Sequence, residues 1–308
     1  MNVLVSEVGP RDGLQSIKRP MPTAAKHRWI AALAESGLKE IEVGSFVHPK
    51  LLPQMADAEE VVREAIKIPG LTVLALVPNV KGAQRAIAAG AHKLTVPVAA
   101  SQAHSMSNVR MTCEESIGEA RRICELRDAQ PAAKRPQVEV GIASAFGCVL
   151  QGEVNEDWVF EVAKRLAEAG VDSIGLSDSV GYANPIQVRR MFARLIRELG
   201  PKAGGAHLHN TRGQGLANVV AALDVGVTTF DSSQGGIGGC PYAPGATGNI
   251  VTEDLVFLLE SMGHSTGIDI GKLMEARKVL AEGLPGESLY GHVPDAGLPK
   301  TFAKAIAA

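Results

Sequence analysis

Residues 155–199 decide the fold, and they read NEDWVFEVAKRLAEAGVDSIGLSDSVGYANPIQVRRMFARLIREL. Apolar residues recur at helical spacing over residues 155–169, and Gly170 follows as a stop signal. Residues 173–177 form a short apolar run that is typical of a strand. A second helical pattern covers residues 185–199, with proline in its first turn, where the missing N–H group does no harm. The stretch therefore predicts a helix, a strand and a helix in succession.

The same alternation continues over most of the chain. The predicted strands are residues 3–8, 39–43, 71–77, 93–97, 137–143, 173–177, 206–209 and 228–231. Each is followed by a helical pattern, and strands that alternate with helices form a parallel sheet. Eight such units favour a closed α/β barrel, the (β/α)8 or TIM barrel. The alternative is an open doubly wound sheet, for which the sequence has no GxGxxG motif between a strand and a helix.

We expect a single domain over residues 1–308, because no Ser/Pro/Gly-rich linker or charge run divides the chain. The barrel is expected over about residues 1–265. Residues 266–308 are expected to form a C-terminal extension with one helix, at 271–282, and a Gly/Pro-rich tail that packs on the barrel. The segment around His104, after the fourth strand, is expected to be a loop.

Composition narrows the possible partners. The 308 residues are 45% hydrophobic and 21% charged, which is ordinary for a globular protein. A formal net charge of −2 gives no basic footprint for nucleic acid or for an anionic membrane surface. No apolar run approaches the roughly 20 residues that span a bilayer. We therefore expect a small-molecule partner, with no nucleic acid and no membrane.

The cysteines and the N-terminal sequence indicate the cellular compartment in which the protein is expected. The 4 cysteines are scattered without a CxxC motif, as is usual for a reduced, intracellular protein. The N-terminal sequence MNVLVSEVGPRDG lacks the charged and apolar regions of a signal peptide, and it is not an Arg/Ser-rich transit peptide. The sequence therefore predicts a cytoplasmic protein.

Polar side chains gather where the predicted strands end. Barrel enzymes place their chemistry at the C-terminal ends of the strands. The ends of strands one, two, six, seven and eight carry most of the candidates. In chain order these are Arg11, Asp12, Glu42, Asp178, His207, His209, Cys240 and Asn249. Chance placement would scatter such residues over the helices, so their position indicates a site.

Four of these residues form a candidate metal site. Residues two apart in a strand point to the same side, so His207 and His209 would present two imidazoles together. Strands one, seven and eight are neighbours in a closed barrel, which brings Asp12 and Asn249 to the pair. Carboxylate, imidazole and amide groups suit a hard divalent cation such as Mg²⁺ or Mn²⁺, and zinc is less favoured. The alternative is a polar strand end, with Asp12 capping a turn.

The remaining candidates suggest acid–base and electrostatic roles. Arg11 could hold an enolate or carboxylate oxygen, or it could form a salt bridge at the rim of the barrel. Cys240 lies in GGIGGCPYAPGATGN, a glycine density typical of a loop that moves over a substrate or binds phosphate. Its thiol could shuttle a proton, or it could be a small buried hydrophobe. Glu42 and Asp178 could orient ligands, anchor Arg11 or form structural ion pairs.

These motifs resemble one family, the 3-hydroxy-3-methylglutaryl-CoA lyases. The matching stretches, between about residues 8 and 262, are VGPRDGLQ, EVGSF, PQM, HLHNTRGQGLANV, GGIGGCPYAPGATGN and TEDLVFLLESMG. The resemblance implies a catalytic barrel that cleaves an acyl-CoA substrate into acetyl-CoA and acetoacetate, and that forms a homodimer. It implies that Mg²⁺ or Mn²⁺ is held by Asp12, His207, His209 and Asn249. Arg11 would stabilise the enolate, Cys240 would deliver the proton, and Glu42 and Asp178 would support the site.

Three stretches depart from this family's pattern. They are Asn-Thr-Arg at 210–212 in place of Asp-Thr-Tyr, a segment at 144–157 without a Cys-Pro-Tyr sequence, and SDSVGYANP at 177–185 in place of a GDTIG type. Because these loops border the acyl pocket, they leave the substituent on C3 open. The alternatives are a lyase for a related branched hydroxyacyl-CoA, such as citramalyl-CoA, and a Claisen-condensing acyltransferase of the same barrel group. A non-catalytic barrel is disfavoured by the intact set of polar residues.

Overall fold

The structure is a computed structural model, and it describes residues 1–238 and 248–302. Eight parallel strands pair in chain order, and β8 pairs with β1 to close the barrel. The strands are β1 Leu4–Glu7, β2 Glu40–Ser45, β3 Thr72–Leu76, β4 Lys93–Thr95, β5 Gln137–Ile142, β6 Ser173–Asp178, β7 Ala203–Leu208 and β8 Thr229–Ser232. The predicted (β/α)8 TIM barrel is confirmed.

Helices surround this barrel. They are α1 Thr23–Glu35, α2 Ala58–Ala65, α3 Val80–Ala89, α4 Gln102–Asn108, α5 Cys113–Asp128, α6 Glu156–Glu168, α7 Pro185–Leu199, α8 Gly215–Leu223, α9 Thr252–Ser261, α10 Ile270–Gly283 and α11 His292–Ala296. Several begin at side chains that accept a hydrogen bond from the first turn, including Asn79, Asn155 and Asn184. Such a cap contributes about 1 kcal/mol, which explains why the helix starts were readable from the sequence. Among the described residues, no helix is long and apolar enough to cross a membrane.

Two helices correct the sequence analysis. The segment after β4 was expected to be a loop, but it contains α4, in which the Ser101 side chain accepts a hydrogen bond from the backbone N–H of His104. The C-terminal tail was expected to have one helix, but α11 follows α10. The N–H groups of His292 and Val293 donate to the carboxylate of Asp254, at 2.9 and 2.7 Å. Both helices are short and lack apolar periodicity, so capping and tertiary contacts form them instead.

The barrel interior is polar. On β5, Val138 and Val140 belong to the hydrophobic core, so Glu139 between them faces the interior. The same alternation gives the inward-facing ionisable residues of the other strands, which are Glu40, Glu42, Lys93, His207 and Asp231. At the N-terminal end of the strands, Lys93 Nζ lies 2.5 Å from Glu40 and 3.6 Å from Glu139. Barrel interiors are usually filled by branched aliphatic residues, so this one is unusual.

Glu7 holds together the two strands that close the barrel. Its carboxylate, at the end of β1, accepts hydrogen bonds from the N–H of Gly9 at 2.8 Å, the N–H of Gln234 at 2.9 Å and the hydroxyl of Thr252 at 2.6 Å. These partners lie after β1, after β8 and at the start of α9. Burial raises the pKa of Glu7 to about 8. One buried carboxyl group therefore fixes the three segments that carry the candidate site.

Candidate metal centre

The turn after β1 presents Arg11 and Asp12. Residues Gly9–Gly13 form one turn of π-helix, a conformation that is frequent at functional sites. The carbonyl of Val8 accepts from the N–H groups of Arg11 and Asp12, at 3.1 and 2.7 Å. A Cβ atom at Gly13 would lie 2.5 Å from Ile237 Cγ1, so the close approach of the segment after β8 requires glycine here.

The histidine pair lies at the end of β7. Nε2 of His207 is 3.2 Å from Nε2 of His209, and the ring centroids are 5.2 Å apart. His209 forms an isolated β-bridge with Asn249, and the N–H of Asn210 donates to the carbonyl of Gly248 at 3.1 Å. This bridge positions Asn249 beside the pair although the residue lies well beyond the end of β8.

The four predicted ligands come together. Ligand atoms of Asp12, His207 and His209 all lie within 4.8 Å of one another. Nδ2 of Asn249 donates to Asp12 Oδ2 at 2.7 Å, while Oδ1 of Asn249 is buried and has no hydrogen-bond partner within residues 1–238 and 248–302. A buried acceptor without a partner is costly in a folded protein. Carboxylate, two imidazoles and an amide oxygen in this arrangement fit a hard divalent cation.

Charges fix the protonation of these groups. Burial opposes ionisation of Asp12, but Arg11 and the two histidines outweigh it and hold the pKa of this carboxyl below its usual range. Burial and the charge of His207 lower the pKa of His209 to about 3. For His207, burial is outweighed by the hydrogen bond and charge of Asp231, and its pKa is raised. His209 is therefore neutral at neutral pH, as a metal ligand must be.

Arg11 is held by two carboxylates. Its Nε donates to Glu42 Oε2 at 2.5 Å, and its Nη1 donates to Asp12 Oδ1 at 2.6 Å. The Arg11 side chain is 10% exposed and that of Glu42 only 2%. The other oxygen of Glu42, Oε1, is buried and has no hydrogen-bond partner among the residues that the structure describes. Glu42 thus anchors Arg11 next to Asp12, one of the arrangements that the sequence left open.

Asp178 does not join this group. Both carboxylate oxygens of Asp178 accept hydrogen bonds from the loop after β6, from the N–H of Tyr182 at 2.8 Å and of Ala183 at 3.0 Å. Burial raises the pKa of Asp178. Asp178 thus shapes the loop. Cys240 lies outside the described residues.

Sequence reasoning missed two polar residues that contact the candidate ligands. Nε2 of Gln15 donates to Asp12 Oδ1 at 2.9 Å, and Asp231 lies 3.0 Å from Nδ1 of His207. The sequence did contain a signal for Asp231, because this residue ends the predicted eighth strand. Glu42 and Asp178 were selected for the same reason, since each lies within one residue of the end of its predicted strand. No comparable signal marked Gln15.

A carboxylate and a pair of imidazoles at the C-terminal face of a closed barrel define the class of this protein, an enzyme barrel with a candidate metal centre. The sequence profile of the family described as HMGL-like matches residues 2–280. The chain belongs to this family.

Named relatives and solved structures agree with this assignment. The mitochondrial hydroxymethylglutaryl-CoA lyase of Gallus gallus is 42% identical over 282 residues, which cover 92% of this chain and 93% of the relative. The hydroxymethylglutaryl-CoA lyase of Pseudomonas mevalonii is 43% identical over 268 residues, or 87% of this chain and 88% of the relative. A structure of an HMG-CoA lyase from Acinetobacter baumannii, in complex with coenzyme A and 3-methylmalate, superposes with a TM-score of 0.91 at 39% identity and covers 97% of this chain and 96% of that one.

Proposed function

We propose that this chain is a hydroxymethylglutaryl-CoA lyase that depends on a divalent cation, Mg²⁺ or Mn²⁺. It cleaves 3-hydroxy-3-methylglutaryl-CoA to acetyl-CoA and acetoacetate in a retro-Claisen reaction. The observation that carries the proposal is the convergence of Asp12, His207 and His209 within 4.8 Å, in a chain that is 42% identical to a named lyase over most of its length.

The cleavage needs an electrophile for the tertiary hydroxyl oxygen, a base for its proton and a group that stabilises the enolate. Asp12, His207, His209 and Asn249 would hold the cation, which supplies the electrophile when it is bound. Asn249 brings an amide oxygen that has no other partner in the described part of the chain. His209 has a pKa of about 3 and is therefore neutral at neutral pH, which leaves a nitrogen lone pair free.

Arg11 stabilises the enolate of the departing acetyl-CoA. Glu42 and Asp12 hold its guanidinium at 2.5 and 2.6 Å, so little reorganisation is needed when negative charge develops on the substrate. Glu42 is a supporting residue in this reaction because it fixes the arginine. Asp178 supports the site less directly, through the loop after β6.

Cys240 delivers the proton that converts the enolate to acetyl-CoA, and the proton lost from the tertiary hydroxyl restores the thiol. Its neighbourhood supports this role although the residue itself lies outside the described part of the chain. A Cβ atom at Gly238 would lie 2.8 Å from Asn249 Nδ2 and 3.2 Å from the carbonyl oxygen of Asp12. Cys240 follows two residues later, and two extended residues span at most about 7 Å. This short separation along the chain supports the proposed role of the thiol.

A lyase for a related branched hydroxyacyl-CoA is a second candidate, and one observation favours it. Arg212, in the Asn-Thr-Arg sequence, lies 4.7 Å from the ring centroid of Tyr182 and donates to the carbonyl of Val180 at 2.9 Å. Two of the three departures from the family's pattern therefore pack on one another and form one surface. Citramalyl-CoA and longer-chain 3-hydroxyglutaryl-CoA are the substrates that this candidate predicts.

A substrate panel tests the proposal. Purified protein with Mg²⁺ or Mn²⁺ should release acetyl-CoA from 3-hydroxy-3-methylglutaryl-CoA, followed by chromatography, and EDTA should abolish the release. Faster turnover of citramalyl-CoA or a longer-chain substrate would favour the second candidate. No cleavage of any branched hydroxyacyl-CoA by metal-loaded protein would reject the lyase function.

The proposal includes a homodimer in the cytoplasm. The relatives are described as cytoplasmic in some cases and as mitochondrial in others. In rat, for example, one lyase is described as cytoplasmic and another as mitochondrial. Light scattering of the purified protein and fractionation of the source cells would test the two statements separately.

A further inference from the structure

Asp231 is a carboxylate beside the candidate ligands that the proposed chemistry does not use. Its Oδ2 lies 3.0 Å from Nδ1 of His207. β7 and β8 pair in a register that sets His207 opposite Asp231, so the sheet itself brings the two side chains together. Phe230 and Ser232, the neighbours of Asp231 along β8, are fully buried on the outer face of the sheet. Because successive side chains of a strand point to opposite faces, Asp231 points into the barrel.

This contact determines which ring nitrogen of His207 carries a proton. A carboxylate can only accept a hydrogen bond, so Nδ1 of His207 must donate. The neutral imidazole then has its lone pair on Nε2. Nε2 is the atom that faces the candidate centre, since it lies 3.2 Å from Nε2 of His209. The hydrogen bond therefore selects the tautomer that can bind a cation.

The two histidines differ in this respect. Nδ1 of His209 is buried and has no hydrogen-bond partner among the described residues. No carboxylate among the described residues orients that ring, which contacts Nε2 of His207, whereas Asp231 orients His207. The candidate centre is therefore asymmetric, with one imidazole whose tautomer is set by a carboxylate and one whose tautomer is not.

We propose that Asp231 is the positioning residue of the metal centre, which holds His207 as the Nδ1–H tautomer with Nε2 directed at the cation. This inference rests on the metal-dependent function proposed above. Loss of such a carboxylate partner of a ligating histidine typically weakens metal affinity by about 10- to 100-fold. We expect a loss of this size for Asp231→Asn, which preserves the shape of the side chain.

Calorimetric titration with Mn²⁺ tests the proposal. The matched control is Glu40→Gln, which also removes a carboxylate from the barrel interior, but one that pairs with Lys93, 2.5 Å away, rather than with a histidine. Weaker Mn²⁺ binding in Asp231→Asn, with unchanged binding in Glu40→Gln, supports the positioning role. Equal losses in the two variants would mean that interior charge alone is responsible, and unchanged binding in Asp231→Asn would overturn the proposal.

Nitrogen-15 NMR of the histidine rings keeps the proposal testable if a variant fails to fold, which circular dichroism would reveal. In metal-loaded wild-type protein, His207 should show a protonated Nδ1 and an unprotonated Nε2. A proton on Nε2 would overturn the inference. Wild-type protein that binds no Mn²⁺ at all would instead reject the proposed metal-dependent function, so the two failures are distinguishable.

Discussion

The barrel interior contains two groups of charged residues, and they differ in what compensates the charge of their buried carboxylates. The group at the N-terminal end of the strands, Glu40 and Glu139 with Lys93, carries its own cation on a side chain. The group at the C-terminal end, around Asp12 and the histidine pair, leaves buried acceptor atoms without partners in the described residues. Buried charges are normally paired or bind metals. A self-neutralised group serves the fold, whereas a group with free lone pairs serves binding.

Removal of a ligand should have the largest effect. His207→Ala should abolish detectable Mn²⁺ binding and acetyl-CoA release, because an imidazole is lost from the centre. Calorimetry and the activity assay measure the two effects. His104→Ala, on α4, is the matched control and should bind Mn²⁺ as the wild type does. Normal metal affinity in His207→Ala would remove the distinction between the two groups.

Removal of the proton donor should lower turnover but spare the metal. Cys240→Ala should reduce kcat by about 10²- to 10⁴-fold, the usual contribution of a general acid. Mn²⁺ affinity should stay nearly unchanged. Cys124→Ala is the control, because burial raises the pKa of that thiol to about 11 and makes it unreactive. Joint loss of metal and activity in Cys240→Ala would instead make the thiol part of the metal centre.

Removal of the built-in cation should affect stability. Lys93→Met leaves Glu40, which is 4% exposed, without its partner. We expect the free energy of unfolding to fall by about 3 kcal/mol, as when one partner of a buried ion pair is lost. Urea denaturation measures it. Lys67→Met breaks the exposed pair with Glu64 and should leave the free energy of unfolding nearly unchanged. Equal costs would show that the interior pair behaves as a surface pair.

The smallest effect concerns pH. Burial raises the pKa of Glu139 to about 8, and Lys93 only partly opposes this. Because the folded state binds this proton more tightly than the unfolded state, the contribution to stability is full below the unfolded pKa and is lost as pH rises through about 8. Glu139→Gln should flatten the fall of unfolding free energy between about pH 5 and pH 8. Glu60→Gln, at an exposed position, is the control and should leave the dependence of unfolding free energy on pH unchanged. The same pH dependence in the wild type and in Glu139→Gln would contradict the prediction.

Most of the barrel was predictable because its elements follow local rules. The strand after Gly170 and the helix after Asn184 are set by periodicity, caps and breakers within a few residues. α4 and α11 were not predictable in this way. The first depends on the Ser101 cap of a polar segment, and the second on Asp254, 38 residues before His292.

In the candidate site, too, some features follow from local sequence and others depend on tertiary contacts. Asp12, the histidine pair and Asn249 were identified because polar residues at strand ends and a closed barrel imply convergence. The partners of these residues were harder to predict. The contact of Asp231 with His207 depends on the register of β7 with β8, and the placement of Asp178 depends on the backbone of its loop. Sequence carries the types of residue at a strand end but not the direction of each hydrogen bond.

The hydrogen bond between Asn249 and Asp12 joins residues 237 positions apart, across the pair of strands that closes the barrel. During synthesis on the ribosome, Asp12 would emerge long before its partner. At roughly 5–20 residues per second, the wait is at least about ten seconds. A nascent chain therefore cannot assemble the proposed ligand set until nearly the whole barrel has been made.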